Sequence, residues 1–418
     1  MSRAQDGRAK AAGPSTTHDA QRVIRRRPKN RRAQIASESA AAFGSLGYHG
    51  VSMEEIAARL GISSAALYRH YPSKYALFRE ELLRLAAAAV TAVTLPARAA
   101  ERPAEEQLGM VIDAIVAETI GNRPTAALAR WEARYLNPDD RVLFDERFSS
   151  AISTLRALIG GVRPELSRRD RLVRAVAVFS VVSSIGDHHA QLPAKALAVV
   201  LSEAAWSVVR ADLPSADVAV PEPPPAAEIP QLFKHQVLID KAVELFHERG
   251  YPNVSVEDIA AAADLSAASA VYRYYRSKDA LLAAAFRRVA DRMAAVIAPA
   301  VESSPSSSEA LDTLIGLYVD GSFAERELTF VYYAEFGNVS TYERTVLRNI
   351  QRLVVAEWVE LLVDSRPRLP RAQARILVHA GFGLVVGLGR LFGNDQRICP
   401  REHVVGLMAT TLFGHPAP

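Results

Sequence analysis

Ala40 to Phe78 reads AAAFGSLGYHGVSMEEIAARLGISSAALYRHYPSKYALF, and Val243 to Leu282 reads VELFHERGYPNVSVEDIAAAADLSAASAVYRYYRSKDALL. Phe43, Gly47, Tyr48, Ser52, Ile56 and Ala57 meet the same residue types in Phe246, Gly250, Tyr251, Ser255, Ile259 and Ala260, 203 residues further on. That offset is far beyond the period of a solenoid, so it marks duplicated domains rather than stacked small units. Each copy carries the pattern of a helix-turn-helix. In the first, Ile35, Ser39, Ala42 and Phe43 recur at helical spacing and stop at Gly47, a suitable helix end. Ser52 opens Ser-Met-Glu-Glu, a capping-box sequence that starts a short helix with Ile56 and Leu60 as its buried face. Gly61 supplies the tight turn, and Ser63 caps a third helix over Ser64 to His70. Pro72-Ser73-Lys74 ends that helix and starts a fourth. Helix, capped short helix, turn and capped short helix is the geometry that lays a recognition helix in the major groove.

The stretch is similar to the head of the TetR family of one-component bacterial repressors. That family's signature runs Gly-Tyr, Thr/Ser, Ile-Ala, Gly-Val-Ser, Leu-Tyr, Tyr/His-Phe and Ser-Lys. Here it is met by Gly47-Tyr48, Ser52, Ile56-Ala57, Gly61-Ile62-Ser63, Leu67-Tyr68, His70-Tyr71 and Ser73-Lys74. The resemblance covers about 50 residues in each half. It implies that Ser64, Arg69 and His70 face the groove, with Arg69 suited to guanine. It further implies that Tyr68 and Lys74 hold phosphates, Lys74 beside a helix N-terminus, and that Ser52 stands with this DNA-facing set. Packing against the first helix is the other reading of Tyr68 and Tyr71, and it is the favoured one for Tyr71.

In the second copy Ser255, Ser269, Tyr272, Arg273, Tyr274 and Lys278 take the corresponding roles. This copy departs from the first in three ways. Asp264 replaces the turn glycine, a tolerable change because Asp visits the left-handed conformation. One extra residue separates Ser266 from Tyr272, compared with Ser63 and Tyr68. No basic arm precedes it. Retention of Arg273 and Lys278 beside the core residues Phe246, Ile259 and Leu265 predicts a working head that reads a different half-site.

Such an arm does precede the first copy. Arg22, Arg25, Arg26, Arg27, Lys29, Arg31 and Arg32 place seven positive charges in eleven residues without one acid. The whole chain carries +4, so the remainder is net −3. Such an arm is suited to phosphate and to the minor groove, although a solvated charge run has the same composition.

The 418 residues therefore divide as follows: a disordered basic arm over 1–27, a first head over 28–80 and a first helical ligand and dimerisation domain over 81–213. A proline-rich linker over 214–230 precedes a second head over 231–284 and a second helical domain over 285–418. Six prolines from Pro214 to Pro230 give the linker an extended reach of roughly 3.1 Å per residue, or about 50 Å. Arg163-Pro164-Glu165-Leu166 and Arg366-Pro367-Arg368-Leu369 repeat at the same offset, each before a long apolar helix. These helices are Leu172 to Ser184 and Leu197 to Val209, then Ala374 to Phe392 and His403 to Phe413. The family dimerises through its last two helices. The expected fold is therefore all-α, with the four helices closing a pseudo-dimer within one chain and a homodimer as the alternative. Gly381, Gly383, Gly387 and Gly389 would permit close backbone approach there, or leave room for a ligand.

The resemblance implies an effector site. Its candidate lining is Trp131, Tyr135 and Phe179 in the first half, and Tyr332, Tyr333, Phe336 and Phe382 in the second. All are also ordinary core residue types. Phe144, Phe148, Tyr318, Phe323 and Trp358 belong to the same aromatic set, while Glu132, Arg134 and Glu335 are either orienting groups or surface ion pairs. The set favours a lipid-like, acyl or steroid effector, and tandem members of the family are associated with lipid metabolism.

Composition is that of a soluble globular protein, with 49% apolar and 23% charged residues. Cys399 is the only cysteine, which excludes a disulfide framework and a multi-cysteine metal site. No stretch has the uninterrupted apolar length of a membrane span, and a cytoplasmic location is expected. Asp187-His188-His189 superficially resembles part of a metal phosphoesterase motif but has no second Asp/His cluster. No catalytic residue, cofactor or metal is therefore expected. The reading is a DNA-binding transcriptional regulator, a repressor released by a hydrophobic effector, whose two unlike heads contact an asymmetric double-stranded operator. The rival is a DNA-anchored architectural or recruiting protein in which only the first head binds.

Overall fold

The computed structural model describes residues 31–214 and 233–414. Arg22, Arg25, Arg26, Arg27 and Lys29 of the basic arm, and nearly all of the proline-rich linker, lie outside the described residues. Among the described residues the chain is helical throughout, with no strand. The first half contains α1 (Arg31–Leu46), α2 (Met53–Arg59), α3 (Ser64–Tyr68), α4 (Lys74–Val93), α5 (Ala104–Gly121), α6 (Arg123–Ala127), α7 (Pro138–Val162), α8 (Arg168–Ser183) and α9 (Ala194–Arg210). The second contains α10 (Lys234–Arg249), α11 (Val256–Ala262), α12 (Lys278–Ala295), α13 (Ile297–Ser303), α14 (Ser307–Ala324), α15 (Arg326–Glu335), α16 (Thr341–Ser365), α17 (Arg371–Phe392) and α18 (Arg401–Phe413).

The duplication holds helix by helix. The starts of α1, α2, α5, α7 and α8 each reappear 203 positions later as α10, α11, α14, α16 and α17. Between α4 and α12 the offset is 204, because of the extra residue in the second head. The repeated Arg-Pro pair has a structural role. Arg163 donates to the Arg210 carbonyl at 2.9 Å, and Arg366 donates to the Leu412 carbonyl. Each guanidinium thereby satisfies orphan carbonyls at the end of its half's last helix.

Helices α8, α9, α17 and α18 pack together inside the chain, as the repeat predicts, and their apolar faces join one continuous core. Gly383 and Gly387 stand one turn apart on α17, facing Ser180 and Ser184 of the first half. A Cβ at Gly383 would lie 2.6 Å from Ser184 Cβ, and one at Gly387 would lie 2.7 Å from Ser180 Cβ. These two glycines are what lets the backbones approach. The other two differ: Gly381 faces Met408 at 3.3 Å and Gly389 faces Phe323 at 3.7 Å.

One expectation needs correction. By length and composition α17 is apolar enough to cross a membrane. Its placement explains the composition, because it contacts α8, α9, α14, α16 and α18 and buries residues on nearly every side. A helix surrounded in this way is apolar all round even in a protein core.

Candidate nucleic-acid interface and effector cavity

The first head is built around Phe43, Ile56, Leu67 and Phe78, all essentially inaccessible to solvent. Gly47 ends α1 at φ +73° and Gly61 makes the turn at φ +61°. Ser52, Ser63 and Ser73 each accept a backbone N–H at the start of a helix, at 3.1, 3.2 and 3.1 Å. The capping box is only half formed, since Glu55 turns to Arg59 at 2.9 Å instead of reaching back. Tyr68, Arg69 and His70 project from the end of α3 into solvent, with Ser64 half-buried at its start. Tyr71 points inward, and its hydroxyl donates to Glu80 at 2.8 Å.

Lys74 has a structural role that its sequence position does not announce. Its ammonium donates to the carbonyls of Tyr48 and Val51, both at 2.9 Å, and lies 4.4 Å from the centre of the Tyr48 ring. Lys278 does the same with Tyr251 and Val254, at 2.8 Å each, and with the Tyr251 ring. An ammonium has three donors, and here two fix the corner after the first helix while the charge rests on an aromatic face. Both lysines thus fasten the head internally, and each keeps its third donor for a further partner. Ser52 and Ser255 remain exposed, but as helix caps.

The second head follows the same plan with two differences. Asp264 adopts φ +54°, so the left-handed turn is preserved without glycine. Ser255 and Asp258 form the full capping box that the first head lacks. The inserted residue alters the recognition segment. Ala268–Arg273 is a 3₁₀ turn without a side-chain cap, where the first head has an α-helical turn capped by Ser63. Tighter winding changes the angle between successive side chains, so Ser269, Tyr272, Arg273 and Tyr274, all exposed, present a different face from Ser64, Tyr68, Arg69 and His70.

A carboxylate of each body fastens the corner of its head, at positions that are again 203 apart, and in the first half Asp140 adds a second hold on Tyr75 and Arg79, at 2.6 Å each. Glu132 accepts from the Tyr48 N–H at 3.2 Å, and Glu335 accepts from the Tyr251 N–H at 2.9 Å. Arg134 of the first half pairs with Glu335 of the second, and the Tyr135 hydroxyl donates to the same oxygen at 3.2 Å. Neither carboxylate belongs to a surface ion pair. Burial pushes Glu132 up to about 7 and also raises Glu335.

A raised carboxylate contributes stability below its ordinary value of 4.5, and that stability is lost as pH rises through about 7. Glu132→Gln keeps an acceptor for Tyr48 and removes the charge. We expect it to stabilise the protein at pH 8 by on the order of 2 kcal/mol, after allowance for partial exposure, and to be neutral at pH 5. Thermal unfolding at the two pH values tests this, and an equal effect at both would contradict it.

Behind this fastening segment lies a cavity of about 610 Å³, within the range of small-molecule sites. Leu85, Ile115, Phe144, Phe148, Ile152 and Phe179 form apolar walls contributed by α4, α5, α7 and α8. Phe330, Gly387, Arg390 and Leu391 of the second half close one side. Arg130, Arg134 and Arg141 bring positive charge to the wall.

Of the aromatic set expected here, Phe144, Phe148 and Phe179 line this cavity and the others do not. Trp131 and Tyr333 stack on each other across the seam between the halves, 5.2 Å apart and 17° from parallel. Tyr135 sits at the corner where the two heads approach, 4.5 Å from the His49 ring and beneath Gly250. Tyr332 and Phe336 pack on Phe286, and Phe382 packs on Tyr318 and Trp358. These are seam and core residues. The alanine-rich end of α4 carried a weak signal: Ala88 and Ala92 stand one turn apart and, with Ala89, make a small-residue face. Asp187 and His188 also have structural partners, Asp187 with Arg130 and the Trp131 indole, His188 stacked on His379.

The sequence pattern of the bacterial regulatory proteins of the TetR family matches twice, at residues 35–80 and 238–285. No curated protein matches the chain. Among solved structures, a TetR-family transcriptional regulator from Bordetella parapertussis is 20% identical, at a TM-score of 0.41, covering 44% of this chain and 95% of that one. The fatty acid degradation regulator FadR from Bacillus halodurans is 21% identical at 0.39, covering 44% and 97%. The ketosteroid transcriptional regulator KstR2 of Mycobacterium tuberculosis is 19% identical at 0.39, covering 44% and 95%. The chain thus belongs to the TetR family of bacterial transcriptional regulators, as a tandem member that carries the family's DNA-binding head twice.

Proposed function

We propose that a single chain acts as the regulator's complete DNA-binding unit, a repressor whose unlike heads occupy the two halves of an asymmetric operator. One observation carries this reading. Both heads present an exposed Tyr-Arg-aromatic run, Tyr68-Arg69-His70 and Tyr272-Arg273-Tyr274, while the helices suited to recruiting a second chain are already packed against each other. Operator symmetry mirrors protein symmetry, so a pseudo-dimer with an α-helical and a 3₁₀ recognition segment fits a site without palindromy.

Light scattering of the protein bound to its own promoter, followed by footprinting, tests the stoichiometry. One chain protecting a non-palindromic site supports the reading, and two chains on a palindrome with the second heads free would sink it. Arg69→Ala and Arg273→Ala are each expected to weaken binding roughly 5- to 150-fold and to relax preference in a different half-site. Indifference to Arg273→Ala would instead favour the anchoring role with one working head.

Release follows from the cavity's position. The segment that forms its wall, Leu128 to Tyr135, also carries Glu132 and Arg134, the two side chains that lead to the two heads. An amphipathic effector that displaces this wall changes the purchase of both carboxylates on Tyr48 and Tyr251. The heads then leave the spacing that fits DNA, a shift toward a state with lower operator affinity.

A further inference from the structure

Conserved register between the halves allows the cavity wall to be compared with its counterpart, position by position. Ala88, Ala89 and Ala92 of α4 correspond to Arg292, Met293 and Val296 of α12. Ile115 corresponds to Tyr318, Ala129 to Tyr332 and Ala133 to Phe336. The larger side chains fill the second half with rings packed on rings. Tyr318 lies 4.5 Å from Phe382, Trp358 lies 5.0 Å from Phe382, and Tyr332 lies 5.5 Å from Phe336. Where the first half has a cavity of about 610 Å³, the second half has aromatic core and a pocket of only about 90 Å³ beside His247 and Thr329.

The cavity's charges are also unequal. Arg130 is bridged to Asp187 at 3.0 Å, Arg141 to Asp145 at 2.6 Å, and Arg134 to Glu335. Arg390 reaches the same wall from α17 of the other half. Among the described residues it has no bridging carboxylate; it donates to the Arg130 carbonyl and lies 5.7 Å from the Trp131 ring. Protein surrounds it closely enough that burial lowers its guanidinium to about 10, yet it keeps an open surface. Glu118 also lines the cavity, where it accepts from the Asn122 amide at 2.7 Å. A guanidinium at a largely apolar cavity wall, with donors to spare and no carboxylate bridged to it, is suited to a carboxylate or phosphate oxygen.

We propose that the chain has one effector site rather than two, in the first-half cavity, and that it takes an anionic amphiphile whose charged group sits on Arg390. The apolar part lies along α4, α5 and α7, so the ligand bridges the two halves of the pseudo-dimer. This rests on the ligand-responsive reading above. A free fatty carboxylate and an acyl thioester of an anionic carrier share the required chemistry.

The test uses the full chain and titration calorimetry with myristate, myristoyl-coenzyme A and the uncharged 1-tetradecanol, beside anisotropy on a promoter fragment. One equivalent per chain is expected for the preferred anion, with binding about 10-fold or more tighter than for the alcohol. Tighter binding of myristate identifies the free acid as the source, and tighter binding of the thioester identifies the carrier form. Arg390→Gln should remove the preference for the anion and leave the alcohol's affinity unchanged. Ile115→Tyr, which copies the second half's Tyr318 on α5, away from the segment that carries Glu132 and Arg134, should abolish binding of all three without loss of DNA affinity. Ala92→Phe makes the same test from another helix should the first variant fold poorly.

Two equivalents per chain, an alcohol bound as tightly as the anions, or no binding to protein that still holds its promoter would each overturn the proposal. Ligand binding by a chain with no affinity for its promoter would instead sink the regulatory reading and leave this one standing.

Discussion

Gly387→Val is expected to destabilise the protein by about 3 kcal/mol or more and to lower its unfolding midpoint by several degrees. The first atom of the new side chain would meet Ser180 of α8, with Ser180 Cβ at 2.7 Å and an Arg130 nitrogen at 3.4 Å. Neither neighbour can move away freely. Ser180 lies within a regular helix, and Arg130 is held by Asp187 and by the Gly383 carbonyl. The helices must therefore separate, and the joint core of the two halves opens where they cross. Gly389→Ala is the matched control, because its Cβ would meet Phe323 at an ordinary 3.7 Å. That change should be neutral or stabilising by up to about 1 kcal/mol, through helix propensity. Calorimetry on both variants separates the close crossing from a general intolerance of α17. Equal midpoints for Gly387→Val and the parent would show that the seam is not built on this glycine. Light scattering adds a second readout, since an opened seam exposes apolar helix to a second chain and should produce dimers.

The sequence and the structure agree where short-range chemistry decides the outcome. Gly47, Gly61, Ser52, Ser63 and Ser73 define helix ends through backbone conformation and local hydrogen bonds, and these are readable from neighbours in the chain. Asp264 was readable for the same reason, since Asp is one of few residues that accept the left-handed turn. The four-helix seam was legible because the repeat places like elements at a fixed offset, so a single rule orders both halves.

Positions whose meaning depends on distant partners were not readable in this way. Lys74 and Lys278 look like phosphate ligands beside a helix start, and nothing local shows that carbonyls 23 to 27 residues away hold both. Of the aromatic candidates for the effector site, Phe144, Phe148 and Phe179 wall the cavity, whereas its space is made by small residues. Ala88, Ala129 and Ala133 leave the space, and Tyr332 and Phe336 mark where it has been filled. Arg390 could not be assigned to a site in the first half by any local pattern, because 260 residues separate it from the carbonyl it binds.

Glu335→Ala should have the larger effect on the link between body and second head. Glu335 is nearly inaccessible and serves four donors, the Tyr251 N–H at 2.9 Å, the Tyr135 hydroxyl at 3.2 Å, the Asn338 amide at 2.6 Å and the Arg134 guanidinium. Removing one partner of a buried pair leaves the other charge uncompensated, at a cost of about 3–5 kcal/mol. The Tyr251 N–H loses its acceptor as well, which frees the corner that Lys278 fastens from the other side. Glu335→Gln retains an acceptor for Tyr251 and should fall between parent and Ala. The double variant Arg134→Ala/Glu335→Ala should be less destabilised than Glu335→Ala alone, because no unpaired guanidinium remains. Stability alone would not distinguish a fastening from an ordinary buried pair; footprinting would. Loss of the fastening should weaken protection at the half-site of the second head while leaving that of the first, where Glu132 still holds Tyr48. Equal weakening at both half-sites would mean that Glu335 supports the fold as a whole and does not couple the cavity wall to one head.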